Sequence, residues 1–587
     1  MIGNFAIARG LVEAGVEMAA AYPGTPSSEI LPGIIEFKGR EKKEIYVEWS
    51  VNERCAFEAA FGAAMAGKKA VCIMKQVGLN VAFPPFLAGK DMALNGALVI
   101  ISCDDPGPQS SQTEQDTRLI ATLLSVPVID PASPVEACDA AFHALKLSWR
   151  TKRPVILRST HRVSHAREAV QLLSPGSRTA RLHDGVKLKG GRALGIVASG
   201  MSSNVALDVI AELGLQRTIS LYKAVTIFPV SRTLLAFTDA MEKVLVLEET
   251  DEVLEAFIGK ENKVYGRRNG YVPRAGELTY NVIRDVIGRV AEETGMGESV
   301  FSPDHAIEEA VSTVRFPQRP PKLCAGCPHR ASFWAMRHAC PEAVFSGDIG
   351  CYTLGISMGA VDTCLDMGGS VGLAGGFANA FQQDGAFVPI IATVGDSTFF
   401  HATLPLLYDA ARKGKRFVLV ILDNGTTAMT GMQPTPQSGL RADGPAGRRI
   451  AITDVVKSFG IGFLKVLDPY DMPLVSATVG EAVDYLKKGG KGPAVIIATR
   501  ECLLFAKGKG RQVSMRVNLE KDCVGCKACL ELFDCPAFFF DEKEGKVKAD
   551  ENLCVGCGTC LFVCPMKRQG KSTFSFQESY FIKHPLG

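Results

Sequence analysis

Eight cysteines stand in two runs near the end of the 587-residue chain. The first holds Cys523, Cys526, Cys529 and Cys535 and the second Cys554, Cys557, Cys560 and Cys564, each with a proline after its last cysteine. Thiolates in such triples wrap successive corners of a cubane, so the spacing predicts two 4Fe–4S clusters. The competing reading is a pair of zinc sites, but structural zinc takes paired C-x-x-C ligands, not triples that end in Cys-Pro. Such clusters only pass electrons on, so chemistry elsewhere in the chain must release them.

A second group of chemically able residues lies upstream. "PIIATVGDSTFF" reads as a strand ending at Gly395, Asp396 and Ser397, and "RFVLVILDNGTTAMTG" as the next strand, ending at Asp423 and Asn424. Asp396 and Asn424 are 28 positions apart, and one strand-helix-strand crossover puts both at the carboxyl edge of neighbouring parallel strands. Their hard oxygens, with the backbone carbonyl of Thr426, suit an octahedral Mg²⁺ that also takes water and two phosphate oxygens. Gly372, Gly375 and Gly376 in "SVGLAGGF" are expected to let backbone amides approach a diphosphate. Gly-Asp followed by Asn at this distance is the diphosphate signature of thiamine diphosphate enzymes, although ordinary turn residues at strand ends give the same letters. His329 and His401 either touch cofactor or substrate or are held by core hydrogen bonds.

Strands and helices that alternate at this pace predict an α/β, multidomain chain of parallel sheets, and the two motifs above make these thiamine-diphosphate-binding domains followed by a bacterial-type 2(4Fe–4S) ferredoxin domain. Residues 1–172 form a first domain, expected to bind the pyrimidine. The polar stretch from Ser174 reads as a linker to a middle α/β domain at 190–312. The proline-rich segment Pro317 to Pro321 precedes a diphosphate-binding domain at 320–506, and 514–587 is the cysteine domain, an internal repeat offset by 31 residues.

A hydrophobic content of 47% with 58 glycines and 31 prolines suits tightly turned α/β cores. A net charge of +3 with mixed signs argues against nucleic acid or a membrane surface as partner. No apolar run approaches a bilayer span, and "MIGNFAIARGLVEAG" has neither a basic leader nor a cleavage site. With 18 cysteines, a reducing compartment, the cytoplasm, is expected.

Thiamine enzymes also need a glutamate that hydrogen-bonds the aminopyrimidine. In "EWSVNERCAFEAAFGAAMAG", Glu53 followed by Ala56 and Gly62 matches the family's E-x-x-A run, with Glu48 and Glu58 as competitors. Thiamine and ferredoxin motifs on one chain resemble the 2-oxoacid:ferredoxin oxidoreductases. "AYPGTPSSEI", "EWSVNE", "CAGCPHR", "GDIGCYTLG", "GDSTFFH" and "DNGTTAMTG" look like the large α subunits of the indolepyruvate:ferredoxin oxidoreductases, in the same order and over nearly the whole chain.

The resemblance carries several implications. By the ferredoxin rule the fourth cysteine crosses over, so Cys523, Cys526, Cys529 and Cys564 hold one cluster and Cys554, Cys557, Cys560 and Cys535 the other. The five residues between Cys529 and Cys535, against the usual three, depart from that pattern. Thr25 of the Tyr-Pro-x-Thr-Pro segment would contact the substrate carboxylate, or be a plain turn. Lys75, Gln76 and Gly78 in "KQVGLN" would line the same pocket. Cys324, Cys327, Cys351 and Cys502 resemble the ligands of a third cluster near the thiamine, with buried reduced thiols as the alternative. The implied reaction converts an aryl pyruvate (indolepyruvate, phenylpyruvate or its 4-hydroxy analogue) and coenzyme A to a thioester and CO₂, reducing ferredoxin. The implied partner is a small β subunit, in an α2β2 or similar hetero-oligomer. A non-oxidative thiamine decarboxylase would leave the C-terminal cysteines without a role, and an iron–sulfur adaptor would leave the 500 residues before them idle.

Overall fold

The computed structural model describes residues 1–174, 176–179, 182, 184–296, 305–314, 320–444, 446–508, 516–519, 523–565 and 574–577. The chain forms two compact units, Met1–Phe316 and Pro317–Gly587.

The first unit contains two sheets. One uses β1 (Met18–Ala21), β2 (Tyr46–Trp49), β3 (Lys69–Lys75), β4 (Ala97–Asp104), β5 (Val128–Ile129) and β6 (Val155–Thr160), all parallel. The other contains β7 (Gly185–Leu188), β8 (Leu194–Ser199), β9 (Ile219–Ala224), β11 (Lys243–Leu247) and β12 (Val264–Tyr265), with β10 (Thr226–Phe228) lying between β9 and β11 in the chain. The first sheet runs β10-β5-β6-β4-β3-β1-β2, so β10, from the middle of the unit, is an antiparallel edge strand of the first sheet. β4, "ALVIISCD", is buried along its whole length, as a strand covered by helices on both faces must be.

The polar stretch expected to be a linker is partly structured. Its Gly185–Leu188 segment is β7, paired antiparallel with β9. An edge position needs only one strand's hydrogen bonds and leaves Val186 and Lys187 in solvent, so the segment carries no apolar run that would announce a strand.

A buried ion network joins the two sheets. Arg118 lies between Asp116, at 2.6 Å, and Glu248, at 2.7 Å. Arg158 pairs with Asp104 at 2.7 Å and Asp130 at 2.9 Å, and the amides of Thr250 and Asp251 donate to Asp116. Asp116 also caps the helix Thr117–Leu124.

The second unit is built on one parallel sheet: β13 (Val344–Gly347), β14 (Thr363–Cys364), β15 (Ile390–Gly395), β16 (Val418–Asp423), β17 (Phe463–Leu467) and β18 (Ala494–Thr499), in the order β14-β13-β15-β16-β18-β17. The stretch read as one helix after β15 is broken. A short α turn, Asp396–Thr398, gives way to a π turn, Phe399–Thr403, before the helix Leu404–Arg412. Pro405 has no N–H for the carbonyl of His401, its partner in a regular helix, so the bonding widens there.

The cysteine-bearing segment shares this unit's core. β19 (Arg516–Leu519) pairs with β22 (Phe574–Gln577), and β20 (Phe538–Asp541) forms a hairpin with β21 (Lys546–Ala549). Phe533, Phe538, Val547 and Val563 join the buried cluster that contains Phe333, Phe345 and Leu422. Arg330, almost wholly buried, donates to the carbonyls of Phe533, at 2.7 Å, and Asp534.

Candidate functional site

In the first unit Glu53 opens the helix Glu53–Met65 and is 6% exposed. Asn52 caps that helix, its side chain accepting from the amide of Cys55 at 2.8 Å. A Cβ at Gly78 would lie 2.4 Å from Glu53 Oε1 and 2.6 Å from its Cγ, so the glycine leaves the space that the carboxylate fills. The competitors are occupied at the surface: Glu58 pairs with Arg54 at 2.8 Å, and Glu48 accepts from the hydroxyls of Tyr46 and Ser50. Thr25 is half-buried in a turn closed by the Ser27 amide on the Gly24 carbonyl at 2.7 Å, and its own carbonyl accepts from Ser110 Oγ at 3.2 Å.

In the second unit, pairing of β15 with β16 sets Gly395 opposite Leu422, which brings Asp396 and Asn424 to adjacent positions on the carboxyl edge. Asp396 is buried. Its Oδ1 accepts from the Ser397 amide at 2.9 Å, and its Oδ2 has no partner among the described residues. Burial and the nearby Asp423 hold its carboxyl well above the usual range. A buried oxygen without a donor, beside a second carboxylate, is the environment a divalent cation would neutralise. Asn424 Oδ1 accepts from the Thr426 amide at 3.1 Å, and its Nδ2 lies 3.2 Å from His329 Nε2. Burial pushes His329 down to about 4, so it is a neutral imidazole. His401 is buried on the π turn.

Some expected residues act otherwise. Gly375 and Gly376 lie in the second turn of the helix Gly369–Gln383, where backbone amides are already committed to the helix and cannot serve a diphosphate. Gly372 lies one turn in, on the exposed side. The amides at that helix's start, Gly368 and Ser370, donate instead to buried Asp348, at 2.9 and 3.3 Å. Gly395 makes room for a ring: a Cβ there would lie 2.6 Å from Tyr352 Cε1, and the Tyr352 hydroxyl reaches Thr398 Oγ1 at 2.7 Å.

The cysteines gather as sets. Burial and the thiols of Cys523, Cys526 and Cys564 push Cys529 up to about 12. Burial and the thiols of Cys557, Cys535 and Cys554 likewise raise Cys560, and Cys529 also acts on it. Burial and the thiols of Cys502 and Cys324 push Cys351 up to about 12, and Cys351 in turn acts on Cys327. Among the described residues no three His, Cys, Asp or Glu side chains could hold a single metal ion as they stand. A cubane spreads its four thiolates over separate iron atoms and so accepts a wider set than a tetrahedral zinc does.

Residues 9–202 match the family described as pyruvate flavodoxin/ferredoxin oxidoreductase, thiamine diphosphate-binding, and residues 348–498 match the thiamine pyrophosphate enzyme C-terminal TPP-binding domain. Indolepyruvate oxidoreductase subunit IorA of Thermococcus kodakarensis is 37% identical over 633 aligned positions, covering 96% of each chain. Its namesake in Archaeoglobus fulgidus is 38% identical, again over 96% of each. The chain belongs to the IorA family. It is an oxidoreductase subunit with thiamine-diphosphate-binding domains, of the kind that decarboxylates 2-oxoacids oxidatively. A solved 2-oxoglutarate:ferredoxin oxidoreductase from Magnetococcus marinus aligns over 50% of this chain and 65% of that one, at 16% identity and a TM-score of 0.40. Among the described residues no helix is long and apolar enough to cross a membrane.

Within this family member, three residues beside the candidate site were given no role in the sequence reading. Asp423 accepts from Gln437 and, at 3.1 Å, from Thr499. Its place next to Asn424 was the available signal. Asp348 is the second letter of the quoted "GDIGCYTLG" but was given no role there. Tyr470 donates to the Gly326 carbonyl and is acted on by both Cys557 and Cys327. Nothing local in sequence announces that position.

Proposed function

We propose that the chain is the large subunit of an indolepyruvate:ferredoxin oxidoreductase. It converts aryl pyruvates and coenzyme A to aryl-acetyl-CoA and CO₂, and two electrons leave for ferredoxin. A small β subunit completes an α2β2 or similar assembly, and the reducing cytoplasm suits the 18 thiols. The observation that carries this reading is a continuity in the second unit. The Cys502 amide donates to the Asn424 carbonyl at 3.0 Å, and Cys502 belongs with Cys351, Cys324 and Cys327. A Cβ on Gly326 would lie 3.5 Å from Cys557 Cβ, and Cys560 joins that set to Cys529. Cysteine sets therefore succeed one another from Cys502, bonded to the Asn424 carbonyl beside Asp396, to Cys564.

Thiamine diphosphate, when bound, supplies the electron sink for decarboxylation, and 4Fe–4S clusters supply one-electron acceptors. Asp396, Asn424 and the Thr426 carbonyl would hold Mg²⁺ and through it the diphosphate, with neutral His329 fixing the Asn424 amide. Glu53 would hydrogen-bond the aminopyrimidine. Cys523, Cys526, Cys529 and Cys564 would hold one cluster, Cys535, Cys554, Cys557 and Cys560 a second, and Cys324, Cys327, Cys351 and Cys502 a third.

The test is the complex co-expressed with its small subunit and purified without oxygen. It should reduce a viologen dye with indolepyruvate and coenzyme A faster than with pyruvate, and Glu53→Gln should cost roughly a hundredfold or more in kcat. Preference for pyruvate would overturn the aryl assignment, and equal rates in the Glu53→Gln variant would remove Glu53 from its role.

A further inference from the structure

β3 ends on Lys75 at the carboxyl edge of the first sheet, between the loops that follow β1 and β4. The first loop passes so near that a Cβ on Gly24 would lie 2.9 Å from Lys75 Cβ. The second is folded around buried Asp105, which accepts from the amides of Gln109 and Ser110, at 3.2 and 2.8 Å, and from the Ser111 hydroxyl at 2.7 Å. Lys75 Nζ donates to the Ser110 carbonyl at 2.6 Å. An ammonium has three donors, and among the described residues this one makes a single hydrogen bond and no ion pair.

A half-buried cation without a matched carboxylate is unfavourable unless an anion joins it. Lys75 is also the residue that precedes the helix Gln76–Gly89, whose Gly78 lies against Glu53. One helical turn therefore connects the unmatched ammonium to the candidate catalytic carboxylate. Gln76, fully buried between them in sequence, donates to Ser111 Oγ at 3.1 Å, and its Oε1 has no partner among the described residues.

We propose that Lys75 is a specificity residue that binds the carboxylate of the 2-oxoacid substrate, an inference that rests on the reading of the chain as a 2-oxoacid oxidoreductase. The carboxylate is the group that departs as CO₂. A cation that pairs with it strengthens binding of the substrate as a whole, a uniform contribution whose loss raises KM and leaves kcat nearly unchanged. Burial pushes the ammonium down to about 8, opposed by the carboxylate of Asp105 on the loop after β4. His161, on the helix His161–His165, also interacts with Asp105, and Glu114 in the same loop accepts from the Gly107 amide. Lys75 is therefore charged below about pH 8 and loses its hold on the substrate above it.

The experiment is viologen reduction by the co-expressed complex at saturating coenzyme A, with indolepyruvate varied and the pH stepped through 8. Lys75→Met is expected to raise KM roughly ten- to a hundredfold with kcat within about threefold of wild type. Lys75→Arg is expected to restore KM and to abolish its rise at alkaline pH. An active wild type whose KM and KM–pH profile are unchanged in Lys75→Met overturns the proposal. Should Lys75→Met fail to assemble with its iron and thiamine diphosphate, Lys75→Arg decides: an alkaline rise in KM that persists there overturns it equally. A wild-type complex that reduces no viologen with any 2-oxoacid would instead defeat the underlying functional reading, and this inference with it.

Discussion

Gly78 and Glu53 show how a small residue sets the place of the carboxylate proposed to act in catalysis. A methyl at position 78 would meet Glu53 Oε1, Cγ and Cδ within 2.8 Å, and all three belong to a side chain that can swing aside. Gly78→Ala should therefore fold and keep its iron while losing rate, because the carboxylate moves from its place. The check is viologen-reduction kcat beside thermal melting, and a normal rate with a lowered melting point would assign Gly78 to packing alone. Glu53 was singled out in sequence by the E-x-x-A run it forms with Ala56 and Gly62, whereas the reason for Gly78 lies in a contact 25 positions away. Gly375 and Gly376 failed in the opposite sense. "SVGLAGGF" looks like a phosphate loop, yet it continues a regular helix at whose start the Gly368 and Ser370 amides are already held by Asp348.

Among the elements, the ion network between the two sheets of the first unit decides how they are joined. Four carboxylates, Asp104, Asp116, Asp130 and Glu248, face Arg118 and Arg158. Arg118→Met would leave Asp116 and Glu248 buried without their partner, a loss on the order of 3 to 5 kcal/mol. Denaturant unfolding of the full chain should show it as an early transition, and an unchanged curve would refute the network's role. Burial and Asp116 push Asp104 up to about 6, with Arg158 opposing. A raised carboxyl contributes stability that is complete below its unfolded value of about 3.9 and lost as pH rises through about 6. Wild type minus Asp104→Asn should therefore fall in stability across that window. These partners were hidden in sequence, since Arg118 and Glu248 are 130 positions apart. The parallel sheets were visible in runs such as "GALVIISCDD", but β7 and β10 were not, being short edge strands without alternation.

Taken whole, the second unit unites the edge proposed to hold the diphosphate with an array of thiols. If the three cysteine sets each hold a cubane, the anaerobic protein carries about twelve irons per chain, and Cys502→Ser lowers that to about eight. An unchanged iron count in Cys502→Ser would remove the third site. The spacing of the C-terminal cysteines is local and so could be read in sequence, while the gathering of Cys324, Cys351 and Cys502 depends on the segment before the helix Pro328–Ala339 meeting the loops after β13 and β18. The most direct test gives the purified complex indolepyruvate and coenzyme A under argon, with no added acceptor, and follows its visible absorbance. The account predicts that the iron–sulfur colour bleaches in the wild type and stays in Glu53→Gln. A complex loaded with thiamine diphosphate and iron that keeps its colour with every 2-oxoacid offered would contradict it.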